Sequence, residues 1–208
     1  MTEERKTRRR RANGEESRNR ILDAASEIAS ERGYEGTSIA LVSGKCGLPA
    51  SSIYWHFKDK DDLIAAVIER SFARWLPAWQ MPDGDDDRDR FATLAMQVAK
   101  AMLDTPDFIR LGLMLALERR PVEPRARSMF LDVREQASQQ IAATIRELAP
   151  DLGASAVAKL TLYAVAGADG LFIAKEISGG SVDLTAMFGL HAQMLYDAAL
   201  RLSREGSA

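Results

Sequence analysis

Residues 36–60 read GTSIALVSGKCGLPASSIYWHFKDK. Gly36-Thr37-Ser38 offers a hydroxyl that can cap a new helix. Ile39, Val42, Ser43 and Cys46 then recur at i, i+3, i+4 and i+7, the spacing of one helical face. Gly47-Leu48 forms a tight turn. Pro49 suits the first turn of a further helix, where its missing N–H costs nothing, and that helix reaches Phe57. Lys58-Asp59 is a short polar link to whatever follows.

Helical spacing continues on both sides of this stretch. Upstream, a helix from about Glu16 to Arg32 carries Ile21, Leu22, Ala25, Ile28 and Ala29 on one face, with Gly33 just past its end. Residues 1–15 are polar and basic and read as a disordered arm. Downstream, a helix over 60–76 carries Leu63, Ile64, Val67, Ile68 and Phe72 until Pro77 stops it. Pro77–Asp87, with two prolines, a glycine and an acidic run, reads as a linker. Five further helices are expected near 88–104, 107–119, 124–148, 154–178 and 184–203, punctuated by prolines and glycines. Strand signals are almost absent. The expected architecture is all-α with about nine helices. An N-terminal three-helix domain spans 16–62, helix 60–76 links it onward, and a larger domain spans 77–208.

Composition narrows the function classes. The chain has 208 residues, 46% of them hydrophobic, enough for one or two domains with a real core. Net charge is −2, so the whole chain is not a general polyanion binder, but charge is unevenly placed. Every residue from Arg5 to Arg11 except Thr7 is basic, and residues 1–62 carry 12 Lys+Arg against 11 Asp+Glu. A basic tip on a mildly acidic body points to an anionic partner at the N-terminal end. The single cysteine, Cys46, allows no internal disulfide, fits a reducing cytoplasm, and reads as a small buried hydrophobe. No secretory leader is read in the first residues, and no unbroken run of 18 apolar residues, so no membrane span is expected. Two histidines, no Gly-rich phosphate loop, no metal-spaced Cys/His set and no nucleophile elbow leave no catalytic residues, metal or cofactor to assign.

Two short helices joined by a Gly turn, packed on a preceding helix, make a helix-turn-helix. Such a unit lays its second helix in the DNA major groove while the first crosses the backbone. The residue types from Pro49 to Lys60 suit that task. Small side chains at Ala50, Ser51 and Ser52 allow close approach, and hydroxyls with backbone N–H groups can bond phosphate oxygens. Ile53 and Phe57 share an inward face. Trp55 and His56 cannot share it and are expected outside, while Tyr54 could serve either side.

Three stretches carry a dense family resemblance: Arg20-Ile21-Leu22-Asp23-Ala24-Ala25; Glu31-Arg32-Gly33-Tyr34-Glu35-Gly36-Thr37-Ser38-Ile39; and Ile53-Tyr54-Trp55-His56-Phe57-Lys58-Asp59-Lys60-Asp61-Asp62-Leu63. The chain resembles the TetR family (TetR/AcrR type) over about residues 17–70. The resemblance implies DNA-binding roles for individual residues here. Thr37 and Ser38 cap the second helix and touch phosphate, and Lys45 reaches the backbone. Ser51 and Ser52 lie on the recognition helix. Tyr54 and His56 bind phosphates, Trp55 contacts bases, and Lys60 pins the fourth helix to DNA. Two positions depart from the pattern: Pro49 stands where Ser is common, which removes a side-chain cap, and Ser51 stands where Gly is common. Arg8, Arg9, Arg10 and Arg11 could form an arm in the adjacent minor groove, or a solvated tail.

The last two long helices read as a homodimer interface. The first offers Leu160, Ala164, Ala168 and Leu171; the second offers Leu184, Met187, Phe188, His191, Met194 and Leu195. A two-fold dimer predicts a near-palindromic operator. The helices near 88–148 could enclose a pocket for a small-molecule effector. Its expected lining is Trp75 and Trp79, Met96, Met102, Phe108 and Leu111, then Met114, Phe130 and Val133, with Tyr163 and Phe172. Arg110 and Arg134 read as solvated face rather than as an anion site. The reading that follows is a cytoplasmic, ligand-responsive repressor whose partners are operator DNA, a second copy and an effector. The competing reading is a helical adaptor without sequence-specific DNA binding.

Overall fold

Capping and punctuation place the helix ends almost where the sequence puts them. The computed structural model describes residues 2–118 and 124–206, with side chains for residues 13–118 and 124–205. Among these residues are nine α-helices and no strand: α1 (Thr2–Gly36), α2 (Ile39–Cys46), α3 (Ala50–His56), α4 (Lys60–Trp75), α5 (Asp87–Asp104), α6 (Pro106–Leu117), α7 (Arg125–Leu148), α8 (Ala154–Ser178) and α9 (Leu184–Gly206). Part of the expected linker is ordered as a 3-10 turn, Leu76–Trp79.

Two sequence expectations need correction. Residues 2–15 are helical backbone continuous with α1, not a disordered arm. Apart from Gly14 the run is built from residues tolerated in helices. The helix breaks where expected, at Gly33, which takes φ 69°, a left-handed conformation that costs glycine little. The second correction is the boundary at residue 77. The chain divides into unit 1 (Met1–Ala73 with Asp107–Asp132) and unit 2 (Arg74–Pro106 with Val133–Ala208). Residues 107–132 join unit 1 in part through Phe108, whose ring centre lies 6.2 Å from that of Phe72, while Phe108 packs on Phe130 at 5.9 Å within the segment itself. One stretch of 18 residues within 154–181 has a mean hydropathy of 1.4, which by length and composition alone would let it cross a membrane, as the core helix of a helical bundle also would.

Unit 1 has a core of Ile21, Leu22, Ala25, Ile28, Val42, Ile53, Phe57 and Leu63, contributed by α1 to α4. Ile21, Leu22, Val42, Ile53 and Leu63 have no exposed surface at all. Cys46 is buried there as a small hydrophobe.

Unit 2 packs α9 against α5 and α8 around Phe91, Leu94, Val157, Leu160, Ala192 and Leu195. Arg134 of α7 grips Asp169 of α8 through both carboxylate oxygens, one contact at 3.0 Å, so Arg134 is engaged within the bundle rather than simply solvated. Arg110 of unit 1 likewise meets Asp107, at 3.2 Å.

Candidate nucleic-acid interface and effector pocket

Local hydrogen bonds set the pose of α3. Ser38, extended at the N-cap of α2, accepts from the Leu41 N–H at 3.3 Å. Gly47 ends α2 in the left-handed region at φ 66°, with its N–H bonded to the Ser43 carbonyl at 3.0 Å. The Ser43 hydroxyl donates to the Leu48 carbonyl at 2.7 Å, and the Arg20 guanidinium donates to the Cys46 carbonyl at 2.7 Å. A cation at a helix C-terminus also suits the dipole, so α1 fixes the turn chemically as well as by packing. Pro49 caps α3 without a side-chain bond, as its replacement of Ser implies.

Ile53 and Phe57 anchor α3 in the core, so the residues between them point outward. Trp55 is 75% exposed and Tyr54 57%, which places both aromatics on the surface. Ser51 is exposed and Ser52 half-buried beside them. His56 is half-buried: its Nε2 lies 2.8 Å from the Ser17 hydroxyl, and its ring meets Trp55 edge-on at 4.6 Å. Burial first, and the nearby Arg18 charge second, push the His56 imidazole below the ordinary histidine range.

The remaining expected contacts fare differently. Thr37 is a correction. Its side chain is buried and its hydroxyl donates to the Gly33 carbonyl at 2.8 Å, so it plugs the α1–α2 junction, and Ser38 alone caps α2. Lys45 is exposed late in α2 but paired with Glu27 at 2.5 Å, a hydrogen bond that raises its pKa. Lys60 lies over the Tyr34 ring at 4.2 Å, donates to the Tyr34 carbonyl at 3.2 Å and meets Glu35 at 3.5 Å. That ammonium holds the α1–α2 junction to the start of α4. The side chains of Arg8, Arg9, Arg10 and Arg11 lie outside the described residues.

One arrangement was missed in sequence. Asp61 accepts the α7 N-terminal N–H groups of Arg125, at 2.5 Å, and Ala126, at 3.1 Å, and takes a third bond from the Tyr34 hydroxyl at 3.1 Å. Asp62 pairs with the Arg125 guanidinium. A carboxylate at a helix start satisfies orphan N–H groups and favours the dipole. The first turn of α4 thereby caps α7. Only the acidic pair after Lys60 hinted at this, and its partner lies over sixty residues away.

Unit 2 holds an apolar pocket of ≈ 70 Å³ between α5, α7, α8 and α9, with Trp79 beside it. Of the eleven expected lining residues only Trp79 reaches it. Trp75, Met102, Phe108, Leu111, Phe130, Val133 and Phe172 are buried elsewhere than in this pocket, while Met96, Met114 and Tyr163 are exposed. Helical periodicity marks apolar positions, but not which of them leave a gap.

The expected dimer residues also divide. Leu160, Ala164, Leu184, Phe188 and Leu195 are buried within their own subunit and are corrections. Ala168, Leu171 and His191 are half-buried, and Met187 and Met194 are exposed. The outward face of α8 instead carries Leu162, Ala166, Ile173 and Ile177, spaced by four, seven and four residues. Leu190 joins Met187 and Met194 on α9. Both helices are apolar on two sides, so sequence alone could not tell the inward side from the outward.

Comparison with known proteins fits this geometry. Residues 21–67 match the family described as bacterial regulatory proteins, tetR family. The HTH-type transcriptional repressor Rv1353c of Mycobacterium tuberculosis is 29% identical over 99 residues, 48% of this chain and 38% of that protein. The HTH-type transcriptional regulator AcrR of Shigella flexneri is 38% identical over 64 residues, 31% of this chain and 30% of that protein. Both matches span less than half of the relative. Solved structures extend the likeness of fold. The fatty acid degradation regulator FadR from Bacillus halodurans superposes with TM-score 0.71 at 16% identity, over 86% of this chain and 93% of that one. FadR from Bacillus subtilis in complex with stearoyl-CoA gives 0.69 at 15% identity, over 86% and 97%.

Proposed function

We propose that the chain, whose residues 21–67 match the family described as bacterial regulatory proteins, tetR family, is a DNA-binding transcriptional repressor. It acts as a homodimer in the cytoplasm and leaves its operator when a small molecule binds unit 2. The observation that carries this reading is α3: a short helix fixed from below by Ile53 and Phe57 that presents Tyr54 and Trp55 to the outside. Tyr and Trp each join a flat apolar ring to a hydrogen-bonding end, which suits contact with a groove. In this reading Trp55 reaches base edges, and a thymine methyl is an apt partner. Ser38, Ser51, Ser52, Tyr54 and His56 bond phosphates and set register. Lys45 and Lys60 exchange their present carboxylate and carbonyl partners for phosphate.

A second copy completes the protein. Leu162, Ala166, Ile173 and Ile177 with Met187, Leu190 and Met194 form the surface that it covers. Two α8–α9 pairs then make a four-helix bundle with two-fold symmetry. Such symmetry calls for a near-palindromic operator with half-sites about one helical turn apart. The chain crosses from unit 1 to unit 2 inside α4 and again inside α7. A ligand favouring a state with displaced α4 therefore weakens DNA binding, and DNA weakens ligand binding to the same degree.

Footprinting on the DNA upstream of the chain's own gene tests the proposal. A protected near-palindrome is expected. A helical adaptor gives no protection at low salt, and that result would overturn the reading.

A further inference from the structure

The pocket of unit 2 has walls of carbon, with Phe91, Leu94 and Val98 from α5 and Phe188 and Leu195 from α9. Its lining contains no Asp, Glu, Lys or Arg. The polar side chains that reach it are Trp79, Thr144 and His191. Of these, Trp79 says what the pocket wants. The Trp79 indole Nε1 is shut off from solvent and has no hydrogen-bond partner. Buried donors are nearly always paired, so an orphan one beside an empty space implies a missing acceptor. His191 already spends its ring proton within the protein. Its Nε2 lies 3.0 Å from the Ala164 carbonyl. A carbonyl oxygen only accepts, so Nε2 carries the proton, and Nδ1 of the neutral ring is left as an acceptor.

From this we infer that the pocket takes a small, neutral, mainly apolar molecule bearing one hydrogen-bond acceptor, such as a ketone or ester oxygen, which receives the Trp79 Nε1–H. An ionised carboxylate or ammonium would lose its hydration against carbon walls with no opposite charge to meet it. A plain hydrocarbon would fit the walls but leave the indole unpaired. The pocket is partly open to solvent, so one end of a longer molecule can project from it. The inference rests on the reading of unit 2 as the effector-binding part.

Acetophenone, ethylbenzene and benzoate share a size and differ in the feature at issue. In the full-length chain labelled with nitrogen-15, the indole N–H signals of Trp55, Trp75 and Trp79 report binding, each assigned by a single Trp→Phe substitution. Acetophenone should shift the Trp79 signal saturably and leave that of exposed Trp55 in place. Ethylbenzene should bind about tenfold more weakly, the worth of one hydrogen bond, and benzoate should give no saturable shift. Trp79→Phe should bring acetophenone down to the ethylbenzene affinity. Ala168→Phe, which fills the space, should abolish binding of both. The inference falls if benzoate matches acetophenone, if ethylbenzene does, if the Trp79 signal stays still, or if Trp79→Phe keeps full affinity. The same ligands added to an operator-binding assay separate the two claims. Acetophenone that occupies the pocket but leaves DNA affinity unchanged sinks the switch and leaves the pocket chemistry standing. Absence of any DNA binding sinks the repressor and leaves the resonance result untouched.

Discussion

Ile21, Leu22, Val42, Ile53 and Leu63 of unit 1 are closed off from solvent entirely, whereas in unit 2 the walls around Trp79 and His191 stand apart and leave space. The surfaces are reversed. Unit 1 turns hydrogen-bonding aromatics outward on α3, while unit 2 turns aliphatic side chains outward on α8. The difference follows from what each part must meet. A duplex is rigid and polar, so its reader needs donors held in register by a tight core. A small apolar molecule needs room inside, and a second copy needs apolar area outside.

The largest effect should come from the α8 surface. Leu162→Asp combined with Ile173→Asp alters exposed side chains only, so each subunit keeps its fold. Light scattering should show a monomer in place of a dimer. Operator affinity should fall about a hundredfold or more, because the second half-site is no longer tethered. A variant that stays dimeric would remove α8 from the interface.

Next come paired tests of packing. Ala25→Leu enlarges a fully buried residue of the unit 1 core and should cost about 1–3 kcal/mol. Ala168→Leu extends into the pocket and should change stability by no more than about 0.5 kcal/mol. Urea unfolding of the two variants measures both, and equal losses would erase the contrast between the cores. Third, Trp55→Ala should lower operator affinity about tenfold with stability unchanged, since the ring contributes surface rather than core.

The smallest effect is on pH dependence. Burial, opposed by the Ala164 carbonyl bond, holds the His191 imidazole below the ordinary histidine range. The unfolded chain therefore binds a proton that the folded chain refuses. The contribution is fully present above about pH 6.5 and shrinks as pH falls through and below that value. His191→Asn should flatten the decline in stability between about pH 7 and about pH 5, and an unchanged slope would show that other groups cause it.

The two regions were unequally legible in sequence. The helix-turn-helix is written in consecutive residues: Ser38 caps, Gly47 turns, and Ile53 and Phe57 choose the buried side of α3. Local chemistry decides such features, and local chemistry is what a sequence displays. The fate of Tyr54 needed the structure, because an aromatic suits a core and a surface site equally. Thr37 misled for a related reason: two adjacent hydroxyls compete for one cap, and only backbone geometry shows that Ser38 wins. In unit 2 the pocket is assembled from four helices far apart in the chain, so periodicity marked apolar residues without showing which ones face a gap. The Asp61 cap on α7 joins residues over sixty positions apart and has no local signature. The basic run before Gly14 has the composition of a free tail and of an exposed helix alike.

The account depends most on α3 meeting a duplex. Fluorescence anisotropy of a labelled duplex from upstream of the chain's own gene tests this directly, comparing the native chain with Tyr54→Ala/Trp55→Ala at low and physiological salt. The native chain should bind saturably, with affinity that falls steeply as salt rises, and the double variant should bind far more weakly at both. A native chain that ignores the duplex at low salt, or a double variant that binds as well as the native chain, would contradict the account.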